Sequence, residues 1–228
     1  MKTGSRLVII GDGEFAGIAY EYFTHDSPYT VVGFAVERDF LKSEEYLGLP
    51  VVAFEELEQR FDPTEHKAFV AVTYTQLNRL RARLCRSAKA KGFELASYVS
   101  SHAFVWHNVK LGENVFVFEN NVIQHYAEIG NNVILWSGNH IGHRSVIEDN
   151  CYLASHVVVS GYCRIQQHSF IGVNVSIGAH ITIARDCFLG AGCVIAKDTE
   201  PGKVYYAAPA QPAKVGSLRF MKVKDASE

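Results

Sequence analysis

The chain has 228 residues, with 22 lysines and arginines against 24 aspartates and glutamates, for a formal net charge of −2. It has no long run of one sign, which argues against a surface built for nucleic acid or for an anionic membrane. The apolar run near the start covers only residues 7–10, too short for a signal peptide or a spanning helix, so we expect a cytoplasmic protein. The five cysteines are odd in number and form no CxxC pair, so neither a disulfide framework nor a zinc site is indicated.

Alternating strands and helices are predicted for the first half of the chain. In order, they are a strand, glycine turn and helix over 6–23, strands over 29–36, 49–54 and 67–73, and a basic helix over 75–92. Such alternation predicts a small, doubly wound, Rossmann-like parallel sheet.

A glycine-rich turn follows the first predicted strand. Gly11, Gly13 and Gly17 form GxGxxxG, which is looser than the dinucleotide fingerprint, and Glu37 stands where an acidic residue is expected at the end of the second strand. These residues are candidates for binding a nucleotide. The alternative is a tight strand-to-helix turn that binds no ligand.

The second half repeats every six residues. An aliphatic residue recurs at this interval seventeen times without a gap, and the position two before it is usually small or β-branched. The series is Val99, Val105, Leu111, Val117, Ile123, Ile129, Leu135, Ile141, Ile147, Leu153, Val159, Ile165, Ile171, Ile177, Ile183, Leu189 and Ile195. Neither a strand period of 2 nor a helix period of 3.6 generates it. The pattern predicts a triangular solenoid with 18 residues per coil and the aliphatic residues stacked inside. Four of the cysteines fall on the small inward position and are predicted core fillers.

The repeats resemble those of the hexapeptide-repeat acyltransferases, whose left-handed parallel β-helix carries copies of [LIV]-[GAED]-x-x-[STAV]-x. "IGNNVI", "IGVNVS" and "LGAGCV" match closely. A small Rossmann-like domain before such a helix is similar to the sialic-acid O-acetyltransferase family and its relatives, the bacterial nucleotide-amino-sugar N-acetyltransferases.

The resemblance implies three segments. Residues 1–97 would form the nucleotide-sugar-binding domain, residues 98–203 the left-handed β-helix of the acyltransferase domain, and residues 204–228 a tail that covers the CoA end. It also implies acetyl-CoA as cosubstrate, no metal, and a homotrimer whose active sites lie between neighbouring subunits. Trp106 and Trp136, each directly after a core position, are predicted to pack at subunit contacts in preference to lining the sugar pocket.

Three histidines, His107, His125 and His143, are 18 residues apart and should stack on one corner of successive coils, with Gly161 next in that column. His143 aligns with the catalytic histidine of the N-acetyltransferases. A sugar amine must lose a proton before it attacks a thioester, and an imidazole can accept that proton near neutral pH. The resemblance therefore implies direct transfer with His143 as general base. The alternative is a solvated turn histidine.

The chain departs from these relatives beside the base. Arg144 replaces the glutamate that usually follows the catalytic histidine, so Glu148, Asp149 or a backbone carbonyl is expected to orient the imidazole.

A second departure concerns the histidine that approaches the thioester in the relatives, which is Tyr152 here. Tyr152 and His156 are therefore secondary candidates, together with Asn139 and His140. His140 lies in a different column from His143, which argues against a metal shared by the two.

Further residues follow from the resemblance. Predicted contacts of CoA are Gly161, Ala191, Lys203 and Lys214. In the first domain, Thr73 and Tyr74 join the glycines and Glu37 as predicted nucleotide-sugar contacts.

The sequence thus predicts an acetyl-CoA-dependent N-acetyltransferase for a nucleotide-linked amino sugar in bacterial surface-glycan synthesis, such as lipopolysaccharide O-antigen. One alternative is an O-acetyltransferase of a sialic-acid-like sugar, because the same histidine could deprotonate an alcohol. A second is a non-catalytic trimeric protein that binds sugar nucleotides. A zinc β-helix like γ-class carbonic anhydrase is disfavoured by the N-terminal domain.

Overall fold

The computed structural model describes residues 5–223, and its first half is a five-stranded sheet with helices on both sides. The elements are β1 (Arg6–Ile10), α1 (Glu14–His25), β2 (Thr30–Val36), a 3₁₀ turn (Arg38–Phe40), β3 (Glu45–Tyr46), β4 (Leu49–Ala53), a second 3₁₀ turn (Phe54–Glu56), α2 (Leu57–Arg60), β5 (His66–Val70) and α3 (Arg79–Ala90). The strand order is β3-β4-β2-β1-β5, and all pairs are parallel except β3 with β4. The four parallel strands were predicted. The two-residue strand β3 was not, because it is too short to show a period.

Alternating apolar side chains explain why helices cover both faces of this sheet. Leu7 and Ile9 of β1 face α1, whereas Val8 and Ile10 face the side covered by α3. A strand buried on both faces is expected of a parallel sheet.

The second half is a left-handed parallel β-helix, as the sequence predicted. Its strands are β6 (Tyr98–Val99), β7 (Phe104–Val105), β8 (Lys110–Leu111), β9 (Phe116–Val117), β10 (Val122–Ile123), β11 (Glu128–Ile129), β12 (Ile134–Leu135), β13 (His140–Ile141), β14 (Val146–Ile147), β15 (Tyr152–Leu153), β16 (Val158–Val159), β17 (Arg164–Ile165), β18 (Phe170–Ile171), β19 (Ser176–Ile177), β20 (Thr182–Ile183), β21 (Phe188–Leu189), β22 (Val194–Ile195) and β23 (Val204–Tyr205). From β6 to β22, each strand pairs with the strand 18 residues away, so one coil contains three strands. A short helix, α4 (Ser217–Phe220), follows.

The first residue of each two-residue strand points outward, and these residues give the three faces different characters. The apolar face consists of β7, β10, β13, β16, β19 and β22, and it exposes Phe104, Val158 and Val194. The polar face consists of β8, β11, β14, β17 and β20, and it presents Lys110, Glu128 and Arg164. The third, here called the domain face, consists of β6, β9, β12, β15, β18, β21 and β23, and the N-terminal domain packs against it.

The interior of the β-helix is one continuous aliphatic column. From Val117 to Ile195 the sixth-position residues are all buried, whereas Leu111 in the first coil is partly exposed. The four cysteines at the small inward position, Cys151, Cys163, Cys187 and Cys193, are buried and free. Burial raises the pKa of Cys151 to about 12, so its thiol stays protonated near neutral pH.

Strand β23 pairs with β21 through Val204 and Phe188, so the β-helix extends past the boundary expected at residue 203. The pairing is possible because Val204 and Tyr205 come 16 residues after Phe188 and Leu189, close to the length of one coil.

Aromatic side chains join the two domains. Phe15 and Phe23 of α1 contact Phe116, and Trp136 stacks on Phe118 with ring centroids 4.4 Å apart. The expectation that Trp136 packs at a subunit contact is therefore wrong, because its ring lies between the two domains of one chain. Trp106, in contrast, is largely exposed.

A fully buried arginine also connects the domains. Arg81 of α3 has none of its surface exposed, and its guanidinium donates five hydrogen bonds. Nη1 donates to the carbonyls of Val72 and Thr73, Nε to Oδ1 of Asn132, and Nη2 to the carbonyls of Asn132 and Cys151. Burial lowers the pKa of Arg81 to about 10, so it remains charged near neutral pH. The residue thus ties the loop after β5 to the β-helix.

We predict that Arg81→Met lowers the free energy of unfolding by about 3–5 kcal/mol, because buried carbonyl oxygens would lose their donors. Denaturant titration checks this. The control is Arg79→Met, which removes an exposed ion pair with Asp186 and should cost less than about 1 kcal/mol. Equal losses in the two variants would contradict the structural role assigned to Arg81.

Candidate active site

A cleft of about 380 Å³ opens at the carboxyl ends of the parallel strands in the N-terminal domain. Strands β1 and β5 are neighbours in the sheet. The loop after β1 leads to α1 on one face and the loop after β5 leads to α3 on the other, so a crevice forms between the two loops. The lining comes from the loops after β1, β2 and β5 and from α3: Ile10, Gly11, Asp12, Gly13, Glu14, Phe15, Val36, Glu37, Phe40, Ala71, Val72, Thr73, Leu80 and Leu84.

Two of the predicted glycines shape this cleft. Gly11 has φ +126°, and a Cβ there would lie 2.8 Å from the carbonyl oxygen of Ala71, so only glycine fits between the ends of β1 and β5. Gly13 precedes α1, and no atom lies within 4 Å of where its Cβ would be. The space beside Gly13, at the N-terminus of α1, is therefore open, and the N-terminus of a helix favours an anion.

Glu37 lines the cleft directly after β2, as predicted. Its carboxylate accepts two hydrogen bonds from Arg83 of α3, at 2.7 and 2.8 Å. This pairing lowers the pKa of Glu37 and keeps it ionised near neutral pH. The sequence did not single out Arg83, because its pairing with Glu37 depends on the sheet bringing α3 beside β2.

The other predicted nucleotide contacts do not all line the cleft. Thr73 lines the cleft. Gly17 lies within α1, where a Cβ would be 2.8 Å from the hydroxyl of Tyr46. Tyr74 packs on the domain face, 4.8 Å from Phe170 and 5.1 Å from Tyr152 between ring centroids. Phe40 is also exposed at the cleft, and the sequence does not indicate it because it belongs to no periodic pattern.

His143 lies in the turn after β13, at the corner where the apolar face meets the polar face. Of the three histidines predicted to stack, His125 and His143 do so, with their rings 5.4 Å apart and nearly parallel, whereas the ring of His107 contacts Trp106. Tyr162, in the next coil, contacts His143 edge-on at 5.2 Å. Oε1 of Gln124 is 2.9 Å from the backbone nitrogen of His143 and 3.2 Å from its ring Nδ1.

Gly161 lies directly above the His143 ring. A Cβ on Gly161 would be 2.6 Å from Cε1 and 2.8 Å from Nε2 of His143, far inside contact distance. The ring therefore uses the space that a side chain at position 161 would fill. The resemblance predicted a small residue here for CoA, and the structure adds a reason within the chain itself.

The carboxylates expected to orient His143 are engaged elsewhere. Glu148 pairs with Arg164 at 2.5 Å, and Asp149 accepts from the backbone of Asn131 at 2.7 Å. Both residues come from the turn between the polar and domain faces, one corner further along the coil. The guanidinium of Arg144 lies over the ring of Tyr126, 4.5 Å from its centroid.

Two of the secondary candidates lie near the turn between the domain and apolar faces. Asn139 is buried, donates to the carbonyl of Trp136 and accepts from the backbone of Val157. These hydrogen bonds stabilise the turn. His140 is half-buried on the apolar face, between Val122 and Val158 as predicted.

Tyr152 and His156 lie away from the His143 corner. Tyr152 is buried on the domain face, stacked on Phe170, and burial raises the pKa of its hydroxyl. His156 is exposed at the corner between the domain and apolar faces, with its ring over Gly138.

The predicted CoA contacts are at the surface. Gly161 and Ala191 lie at the two corners that border the apolar face. Lys203 is exposed, with Glu200 4.0 Å away, and Lys214 is exposed in the tail.

Residues 5–223 contain no cluster of three or more His, Cys, Asp or Glu side chains that could hold a metal ion. Over the same residues, no helix is both long and apolar enough to cross a membrane.

Family and structural comparisons agree with this architecture. The family of bacterial transferase hexapeptide repeats matches residues 108–143, 126–161 and 162–197. No curated protein matches the chain.

Solved structures match both domains together. The acetyltransferase domain of PglB from Neisseria gonorrhoeae is 25% identical with a TM-score of 0.81, over 92% of this chain and 100% of that one. PerB from Caulobacter crescentus, in complex with CoA and GDP-perosamine, is 28% identical with a TM-score of 0.78, over 90% and 95%. A histidine-to-asparagine variant of perosamine N-acetyltransferase from the same organism is 27% identical with a TM-score of 0.77, also over 90% and 95%.

These findings confirm the resemblance drawn from the repeats and the domain order. Residues 108–197 match the bacterial transferase hexapeptide repeats, and the chain is an acyltransferase. Its two-domain architecture is similar to that of the PglB acetyltransferase domain and of perosamine N-acetyltransferase.

We predict that Gly161→Ala displaces the His143 ring and lowers the rate of acyl transfer by roughly 10- to 100-fold, because an added methyl group collides with the imidazole. A crystal structure of the variant and its kcat check this.

Gly178→Ala is the matched control, because its Cβ would lie 3.6 Å from the nearest atom, an ordinary contact. If the His143 ring is not displaced in Gly161→Ala and only the KM for the acyl donor rises, Gly161 does not make room for the ring. Its role would then be contact with CoA.

Proposed function

We propose that this protein transfers an acetyl group from acetyl-CoA to the amino group of a nucleotide-linked sugar, in the synthesis of a bacterial surface glycan such as lipopolysaccharide O-antigen. The observation that carries the proposal is the match, over at least 90% of the chain and in both domains, to PerB bound to CoA and GDP-perosamine. The PglB domain, also solved with acetyl-CoA, supports the acetyl donor.

The cleft in the N-terminal domain is the proposed nucleotide site. Its apolar wall of Val36, Leu80 and Leu84 suits a base, and the open N-terminus of α1 after Gly13 suits a diphosphate. Glu37 stands where a ribose hydroxyl would find an acceptor.

His143 is the proposed general base. An amine bound near Nε2 would attack the thioester carbonyl carbon of acetyl-CoA, forming the N–C bond while the C–S bond breaks and CoA leaves as a thiolate. The proton released by the amine passes to His143 and then to the thiolate or to water. The half-buried ring is restrained by His125 and Tyr162, which limits the orientations it can adopt.

A homotrimer would complete the site. The N-terminal domain packs on the domain face, whereas His143 lies at the opposite corner of the triangular helix, so the cleft and the base of one chain lie on different sides. The apolar face beside His143 exposes Phe104, Val158 and Val194 to solvent in the single chain. Exposed apolar surface of this kind favours association, and a neighbouring chain there would bring its own cleft towards His143.

CoA would then run along the corners that border the apolar face. Gly161 and Ala191 remain proposed contacts of its pantetheine arm, and Lys203 and Lys214 remain proposed contacts of its phosphates. Tyr152 is proposed to act through packing, because it is buried on the domain face.

The test is release of CoA when the purified protein is incubated with acetyl-CoA and a panel of UDP-, GDP- and dTDP-linked 3-amino and 4-amino sugars. Turnover with an amino sugar supports the proposal. Turnover only with the hydroxyl of a sialic-acid-like sugar, or no turnover with tight binding of a nucleotide sugar, would overturn it.

His143→Ala is expected to leave a folded trimer whose kcat is lower by roughly 10²–10⁴-fold, because the base is lost while the fold is not. The control is His107→Ala, which removes an exposed histidine two coils away in the same column. Steady-state kinetics with the best amino sugar measure both. A fully active His143→Ala enzyme would show that the base lies elsewhere.

Val158→Arg is expected to convert the trimer to monomers, because a charged side chain would be buried without a partner in the proposed interface. Val146→Arg makes the same exchange on the polar face, next to Glu128, and should leave the trimer intact. Light scattering distinguishes one chain mass from three. If Val158→Arg stays trimeric, the interface is not the apolar face.

A further inference from the structure

We infer that Gln124 positions His143 for catalysis, by holding its imidazole in the tautomer that leaves Nε2 free to accept a proton. This inference rests on the proposed role of His143. It assigns to an amide the task that the missing glutamate at position 144 performs in the relatives that the sequence resembles.

The contact depends on the coil geometry. Gln124 directly follows β10 and lies 19 residues before His143, so it occupies the coil below and reaches upward at the same corner. Its side chain meets both the backbone and the ring of His143 through a single atom, Oε1.

The backbone contact decides which end of the Gln124 amide faces His143. The backbone N–H of His143 can only donate, so the atom 2.9 Å away must be the amide oxygen and not the NH₂ group. The same oxygen is 3.2 Å from Nδ1, and because an amide oxygen only accepts, Nδ1 must carry the hydrogen. In the neutral ring, Nε2 then holds the free lone pair.

The remaining neighbours of the ring act on its faces and edge. His125 stacks against one face, and Tyr162 meets the ring edge-on. Such contacts restrain the plane of the imidazole without choosing between its nitrogens. Glu148 and Asp149 are hydrogen-bonded to Arg164 and Asn131, and within residues 5–223 it is Gln124 that hydrogen-bonds a ring nitrogen of His143.

A second glutamine separates the structural part of this contact from the catalytic part. Oε1 of Gln166 accepts from the backbone nitrogen of Arg185, 19 residues ahead, at 3.0 Å. The backbone bond is therefore a device that the β-helix uses at more than one corner. Oε1 of Gln124 differs in that it also hydrogen-bonds the ring of His143.

The experiment compares Gln124→Leu, Gln124→Glu, Gln166→Leu and His143→Ala in the full-length protein. Gln124→Leu removes the acceptor and should lower kcat roughly 10- to 100-fold, with the KM of acetyl-CoA and of the amino sugar unchanged. Gln124→Glu keeps an acceptor and should retain most of the activity. Gln166→Leu should lose a similar amount of stability with an unchanged kcat.

Nitrogen-15 spectra of histidine-labelled protein supply a readout that needs no substrate. The chain has 10 histidines, and the signals missing from His143→Ala identify the ring. Wild type, Gln124→Glu and Gln166→Leu should show a protonated Nδ1 and an unprotonated Nε2 above neutral pH. Gln124→Leu should show a mixture of the two tautomers.

Two outcomes would overturn the inference: a Gln124→Leu enzyme with wild-type kcat, or one whose His143 tautomer is unchanged and whose losses match those of Gln166→Leu. A fully active His143→Ala enzyme would instead contradict the proposal that His143 is the base. An inactive His143→Ala enzyme together with an unaffected Gln124→Leu enzyme would contradict only the role of Gln124.

Discussion

Stacked aliphatic side chains inside the β-helix position the features of its corners. Ile123, Ile141 and Val159 lie one above the other and are fully buried, so the residue two positions after each reaches the same corner of successive coils. A shift of the register by one residue would bring polar side chains into the apolar interior. Burying them without hydrogen-bond partners would destabilise the fold. The stack of His125 and His143 below Gly161, and the reach of Gln124 across one coil, follow from this register.

The two domains are joined on the side of the β-helix that does not carry the candidate base. Aromatic rings cover the domain face, and Arg81 bonds the loop after β5 to the coils carrying Asn132 and Cys151. Val72 and Thr73 line the cleft and accept hydrogen bonds from Arg81. Because Arg81 also donates to Asn132 and Cys151, it connects the wall of the proposed nucleotide site to the β-helix.

Predictions drawn from position within the repeat succeeded more often than those drawn from residue chemistry. The column of His125 and His143 and the neighbours of His140 are as predicted, because each depends only on the 18-residue coil. The charge of Glu148 and Asp149 and their nearness in sequence to His143 predict that one of them orients the imidazole. Instead, Glu148 pairs with Arg164 and Asp149 accepts a hydrogen bond from the backbone of Asn131. Trp136 is predicted to pack at a subunit contact, but its ring lies between Phe15 of α1, far away in the sequence, and Phe118 and Tyr152 of neighbouring coils.

By itself, the sequence determined the architecture: a β/α sheet followed by a β-helix, the inward residues and the column that carries His143. These features repeat or alternate locally, so their period is visible in one dimension. Only the tertiary structure decided which faces meet, that Arg81 is buried at the domain contact, that Arg83 pairs with Glu37, and that an oxygen of Gln124 faces the ring of His143. Each of these depends on side chains from different helices, strands or coils that lie close together only in the folded chain, and no local pattern in the sequence indicates such a contact.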